Sequence, residues 1–433
     1  MHEEVAVLLG KNRIMFLLLV IILLMSGCGG RIDNNGSQGG STGIDNNGNG
    51  GSGGNIDGVT PSPKPDPVRE QVNGMTLDEK IGQLVMTGVD GYVSDEHSEQ
   101  LISQYHVGGF VILGQNVKNT NQVLELINSL KAANTGAGNR VPLFIGVDQE
   151  GGRVSRMPGE FVKIPAAKTI GAADSEDFSY KVGSLLAQEV KAFGYNVDFA
   201  PVLDINSNPK NPVIGDRALS SKPEVVSRLG VETMKGIRSQ NIIPVVKHFP
   251  GHGDTSVDSH TGLPVLDFDM ERLRSFELLP FAEAIKNDAD AVMVAHILFP
   301  KIDSQYPASM SESIITGILK KELGFKGLVL TDDMAMGAII KNYDSGAAAV
   351  RSINAGADIV LVCHDFDREK AVIEALKKAA ESGEIKSERL DDSVYKILQL
   401  KQKYMITDEK VPSVDVKGIN DQIKAVLNSH AKK

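Results

Sequence analysis

Eight short apolar runs, separated by amphipathic stretches, restrict the fold of this chain more than any other feature. The runs cover residues 84–88, 107–113, 143–147, 197–203, 242–246, 291–295, 327–330 and 359–362. Helix-period segments lie between most of them, at 121–133, 180–193, 223–239, 270–286, 311–323 and 368–382. Eight strand-then-helix units within roughly 340 residues predict an α/β fold, a (β/α)8 TIM-like barrel forming a single catalytic domain with a few long βα loops. Thr76 and Glu79 predict a capping box at the first helix of that domain. Nearly every predicted strand ends in a titratable residue: Asp148, Asp204, Lys247 with His248, His296, Asp332 with Asp333, and His364. Strands that merely run into polar loops would explain one or two such endings. Six of them predict that one barrel rim carries chemistry.

The ends of the chain read differently. Lys11 and Arg13 precede an apolar run over residues 14–25, too short for a comfortable membrane span and followed by Ser26, Gly27 and Cys28. This resembles a bacterial lipoprotein signal over residues 1–28, with Cys28 as the lipidated residue. The pattern prefers Leu three residues before the Cys, where this chain has Met25. An uncleaved N-terminal anchor is the other reading, and both put the remaining chain outside the cytoplasmic membrane. Residues 29–67 are dominated by Gly, Asn, Ser, Asp and then Pro, and repeat Ile-Asp-Asn-Asn-Gly at 32–36 and 44–48. Such a segment buries no core and is expected to be a disordered tether. The catalytic domain is expected over 68–410 and a tail over 411–433. With no room there for a further domain, the chain is expected to complete its pocket from its own loops.

Composition narrows the functions. A formal net charge of −10, with no basic run, disfavours nucleic acid as a partner. The chain is expected to be a monomer. Two Cys exclude a disulfide framework, and Cys363 closes an apolar run as a small buried residue. There is no Trp, so any stacking on a sugar falls to Tyr, Phe or Met.

The densest chemistry lies in Lys247-His248-Phe249-Pro250-Gly251-His252-Gly253-Asp254-Thr255, continued by Asp258-Ser259-His260. Pro and Gly forbid a helix there, so titratable groups emerge where a core strand becomes a loop. The histidines lack the helical spacing or Cys partners of a zinc site, and no cofactor or metal is expected. No Gly-x-Ser-x-Gly elbow is present. Asp332, after residues 328–330, can point into the barrel mouth. Asp258, two residues from His260, can orient that imidazole and favour its protonated form. An attacking carboxylate plus a group that gives and then takes a proton is the logic of retaining glycoside hydrolysis. Here His stands where a second carboxylic acid is usual.

These segments resemble glycoside hydrolase family 3, in its bacterial β-N-acetylglucosaminidase branch. The resemblance spans about residues 68–403. It rests on the Lys247–Thr255 and Asp258–His260 stretches, on Thr331-Asp332-Asp333-Met334-Ala335-Met336, on Gly146–Val154 and on Phe199–Asp204. It implies Asp332 as nucleophile, His260 as general acid/base and Asp258 as its dyad partner. It implies sugar contacts from Asp148, Lys247, His248 and Arg217. The implied activity is release of terminal non-reducing GlcNAc from a carbohydrate partner such as cell-wall fragments, by a chain held to the membrane through Cys28. Residue by residue, other readings stay open. Asp332 could cap a helix, His260 could be a loop His satisfied by Asp258, and Asp148 could pair with Arg153 or Arg217. His252 and Asp254 are expected to hold the turn, Glu150 to be an ion-pair partner at the barrel mouth, and Asp333 to shape its turn. His296 and Met336 are pocket-lining candidates. A β-glucosidase, a phosphorylase and a non-catalytic sugar-binding lipoprotein remain the alternatives.

Overall fold

The computed structural model describes residues 66–430. The expected signal, Cys28 and nearly all of the expected tether lie outside the described residues. Eight parallel strands close into a barrel in chain order. They are β1 (Val85–Thr87), β2 (Gly109–Ile112), β3 (Phe144–Val147), β4 (Val197–Asp198), β5 (Ile243–Phe249), β6 (Ala291–Val294), β7 (Leu328–Asp333) and β8 (Ile359–Val362). Val85 pairs with Val360 to close the ring. The (β/α)8 barrel read from the sequence is therefore the fold. Its strands are continuous apolar runs because helices cover one face and packed side chains fill the other. Interior packing is tight: a Cβ on Gly146 of β3 would come within 2.8 Å of the Phe199 ring. The bulky ring lies against the strand position that has no side chain.

Helix starts follow their caps. The Thr76 capping box forms, with the Thr76 amide donating to Glu79 at 2.7 Å and the Glu79 amide donating to the Thr76 hydroxyl at 3.3 Å. Ser175 caps Glu176–Phe193, and Asp344 caps Ser345–Ala355. Among the described residues, no helix is long and apolar enough to cross a membrane.

Four segments differ from expectation. The run at 197–203 pairs regularly only as Val197–Asp198, since Pro201 brings no amide to a ladder. The candidate helix at 270–286 is interrupted by a π-helical stretch, Leu273–Glu277, before the helix Leu279–Lys286, which carries Pro280 in its first turn. The 311–323 segment is π-helical over Ser313–Glu322. Residues 411–433, expected as a tail after the last helix, contain a further helix, Val416–His430. Its Ile419 and Ile423 are buried, and His430 stacks on Phe178 with centroids 4.3 Å apart.

Candidate active site

The titratable strand ends converge on the C-terminal rim, where a cavity of about 610 Å³ opens. Asp148, Arg217, Lys247, His248, Asp258, His260 and Asp332 all line it. That volume lies within the range of small-ligand sites.

One wall is an ion network. Lys247, carried by β5 and 1% exposed, places its ammonium 2.5 Å from Asp148 Oδ1 and 2.7 Å from Glu150 Oε1. Arg217 grips Glu150 through two bonds of 2.8 and 2.7 Å. Burial works against the charge on Lys247, but Asp148 and Glu150 outweigh it and hold the ammonium above its usual range. Burial likewise opposes the charge on Glu150, and Arg217 with Lys247 override it, keeping the carboxylate far below the usual range. Two cations and two anions thus balance, which is the condition for burying them. The expected role of Glu150 as an ion-pair partner agrees with this. The suggested pairing of Asp148 with Arg153 or Arg217 does not: Asp148 pairs with Lys247, and Arg153 pairs with Asp216 at 2.7 Å.

His248 is held from behind. Its Nδ1 lies 2.6 Å from Asp204 Oδ2, which leaves Nε2 facing Arg217 at 3.4 Å. Asp204 also accepts the His252 amide at 2.6 Å. Burial opposes the charge on Asp204, yet the His248 imidazole prevails and holds it below the ordinary carboxylate range.

Asp332 sits at the end of β7. Burial would raise its pKa, but the imidazoles of His296 and His248 and the Asp333 amide, donating at 2.9 Å, hold it low. It is an ionised carboxylate recessed in the cavity. Asp333 is the reverse case, pushed up mainly by burial. Its Oδ1 accepts the Ala335 amide at 2.9 Å and the Cys363 amide at 3.0 Å, so it shapes the turn as expected. His296 hydrogen-bonds Ser309 at 2.7 Å and donates to the Asp333 carbonyl at 3.0 Å. It is fully buried and stands behind the Asp332–Asp333 turn, whereas Met336 lines the cavity.

Across the opening, residues 250–263 form a loop. His260 Nδ1 lies 2.8 Å from Asp258 Oδ1, and the same oxygen accepts the His260 amide at 2.9 Å. The His260 side chain is 67% exposed, the most open of the seven. Burial is the largest single influence on Asp258 and opposes its charge, but the His260 amide and imidazole together outweigh it and hold the carboxylate below the ordinary range. His252 is a loop strut: Nδ1 meets the Thr255 hydroxyl at 2.6 Å and Nε2 the Ser259 hydroxyl at 3.2 Å. Burial pushes it down to about 4.

Sequence reading missed other cavity residues. Arg156, Phe199, Met293 and Lys341 also line it. Arg156 sits just past the Asp148 strand end, a usable signal, whereas nothing marks Met293 within an apolar strand. Glu189 was missed too, because it lies on a helix far from every motif. Gln149 donates to it at 2.6 Å, and burial pushes its pKa up to about 8. A folded pKa above the unfolded one means that the native state binds the extra proton, so this contribution is present at pH 4 and lost as pH rises through 8. Glu189→Gln is expected to gain urea stability relative to the parent between pH 5 and pH 8. Parallel midpoint shifts at both values would contradict the protonated form of Glu189.

For metals, one cluster among the described residues has ligand-like proximity: Asp90, Asp95 and His97, at the surface.

A parallel barrel with a recessed aspartate of lowered pKa and a carboxylate–imidazole pair at its C-terminal rim has the groups that acid/base chemistry on a polar substrate requires. Residues 76–400 match the model of the glycosyl hydrolase family 3 N terminal domain. The chain belongs to glycoside hydrolase family 3, whose enzymes act on O-glycosyl bonds. It is 38% identical over 326 residues to beta-hexosaminidase A of Pseudoalteromonas piscicida, covering 70% of this chain and 54% of that protein. It thus spans about half the length of that relative. It is 31% identical to a beta-hexosaminidase of Nitrosomonas eutropha, covering 78% of this chain and 98% of that one. The structure is similar to a family 3 beta-N-acetylglucosaminidase from Paenibacillus sp. str. FPU-7, with a TM-score of 0.76 and 40% identity over 81% of this chain and 68% of that one.

Proposed function

We propose that this protein is a retaining exo-β-N-acetylglucosaminidase that removes terminal GlcNAc through a glycosyl-enzyme intermediate. One observation carries the reading: an ionised, recessed Asp332 and an exposed His260–Asp258 pair open on the same cavity. In the first step Asp332 attacks the anomeric carbon while His260 protonates the departing oxygen. In the second, the neutral imidazole takes a proton from water, and that water displaces Asp332. Asp258 fixes the ring through Nδ1, leaving Nε2 for both transfers. Asp148, Lys247, His248 and Arg217 bind sugar hydroxyls, their charges already balanced so that the sugar meets oriented donors and acceptors.

We further propose peptidoglycan fragments as substrate and an extracytoplasmic location through a lipid on Cys28. The basic and apolar run that ends at Cys28 supports the location. Fatty-acid labelling that persists in a Cys28→Ala variant would refute the anchor.

Product analysis in phosphate buffer tests the reaction. Free GlcNAc is expected. GlcNAc 1-phosphate would make the protein a phosphorylase, and faster turnover of a β-glucoside than of the matching N-acetylglucosaminide would make it a glucosidase. Tight GlcNAc binding without turnover would make it a binding protein.

A further inference from the structure

The His260 loop has unequal attachments. Its root is fixed. The His252 amide binds Asp204, Asn211 donates to the His252 carbonyl at 2.8 Å, and Gly253 packs so closely on Ile205 that a Cβ would lie 1.7 Å from its carbonyl oxygen. The tip, residues 256–263, is held differently. Among the described residues, its hydrogen bonds to groups outside the loop are two. The Ala338 amide donates to the Ser259 carbonyl at 3.0 Å, and the Lys341 ammonium donates to the Thr261 carbonyl at 2.6 Å. These carbonyls flank His260. Gly337 completes the seat, since a Cβ there would lie 2.4 Å from the His260 carbonyl oxygen.

All three contacts come from residues 337–341, which follow Asp332 by one short turn. A single segment therefore carries the carboxylate and seats the imidazole. Lys341 has no carboxylate partner among the described residues, lines the cavity, and is bonded to the residue after His260. We propose that Lys341 is a positioning residue, a latch that holds the His260 loop tip over the cavity so that proton transfer is aligned with attack by Asp332. This rests on the function proposed above. Misplacement of a catalytic group by about 1 Å can cost ~100-fold in rate. An exposed ammonium–carbonyl bond lets the tip open and reclose during substrate exchange.

The test compares two N-acetyl-β-glucosaminides, one with a methylumbelliferyl-type leaving group and one with dinitrophenolate, which departs without a proton. Lys341→Met is expected to lower kcat/KM ~10-fold or more on the first and under about 3-fold on the second. Lys341→Arg, which keeps a donor, is expected to recover most of the loss. Azide, which needs no proton removed, should speed turnover of Lys341→Met on the dinitrophenyl substrate. It does so by forming a C–N bond at the anomeric carbon as the C–O bond to Asp332 breaks. Gly337→Ala, which crowds the same seat, should show the same leaving-group dependence. Equal loss on both substrates, or no azide response, overturns the latch. The nucleophile assignment is judged separately, because it is read from a trapped adduct on the parent enzyme.

Discussion

Asp332→Asn is expected to lower kcat on a 4-nitrophenyl N-acetyl-β-glucosaminide by ~10⁴-fold, with an unchanged unfolding midpoint. An amide has the same shape but cannot form the ester intermediate. Its oxygen can still accept the Asp333 amide bond, so the turn after β7 should persist. Asp333→Asn is the control. Burial favours the neutral form of Asp333, which asparagine imitates, and its oxygen can still accept the Ala335 and Cys363 amides. Most activity should survive that change. Reversed results from the two variants would move the nucleophile assignment to Asp333.

His260→Ala gives the second large effect, and it is divided between the two steps. Loss of the acid is expected to cost ~10²–10⁴-fold on substrates with poor leaving groups. With dinitrophenolate the first step needs no acid, but the second still lacks its base. Rapid mixing should therefore show a burst of one dinitrophenolate per enzyme, followed by slow turnover and a low KM. A variant that slows both substrates equally without a burst would remove His260 from the proton transfers. Asp258→Asn should fall between parent and His260→Ala, because the ring loses its orienting charge and keeps its nitrogen.

Much of the barrel was legible because its signal is local and repeated. Apolar runs alternate with amphipathic ones, and the run at 223–239 became the helix Pro223–Ser239 with Pro at its first turn. The 197–203 run misled because apolarity does not distinguish a paired strand from a buried loop, and only Pro201 marked the difference. The helix Val416–His430 went unread although Val416, Ile419, Ile423, Val426 and Leu427 recur at helical spacing and face the core. At the site, residue types at strand ends indicated which groups would meet, and all seven residues singled out line one cavity. Their pairings were not legible. Asp148, Glu150, Arg217 and Lys247 span about a hundred positions, and their exchange of partners depends on how β3, β5 and the intervening loops pack. Lys341 carried no motif at all. Its role follows from a carbonyl 80 residues away in sequence.

The most direct measurement is to inactivate the parent enzyme with a 5-fluoro N-acetylglucosaminyl fluoride, digest it with trypsin, and map the labelled peptide by fragmentation. The sugar should be found on Asp332, within the peptide that runs from Gly327 to Lys341. A label on another residue, or steady turnover of a compound that should trap the intermediate, would contradict attack by the carboxylate at the end of β7.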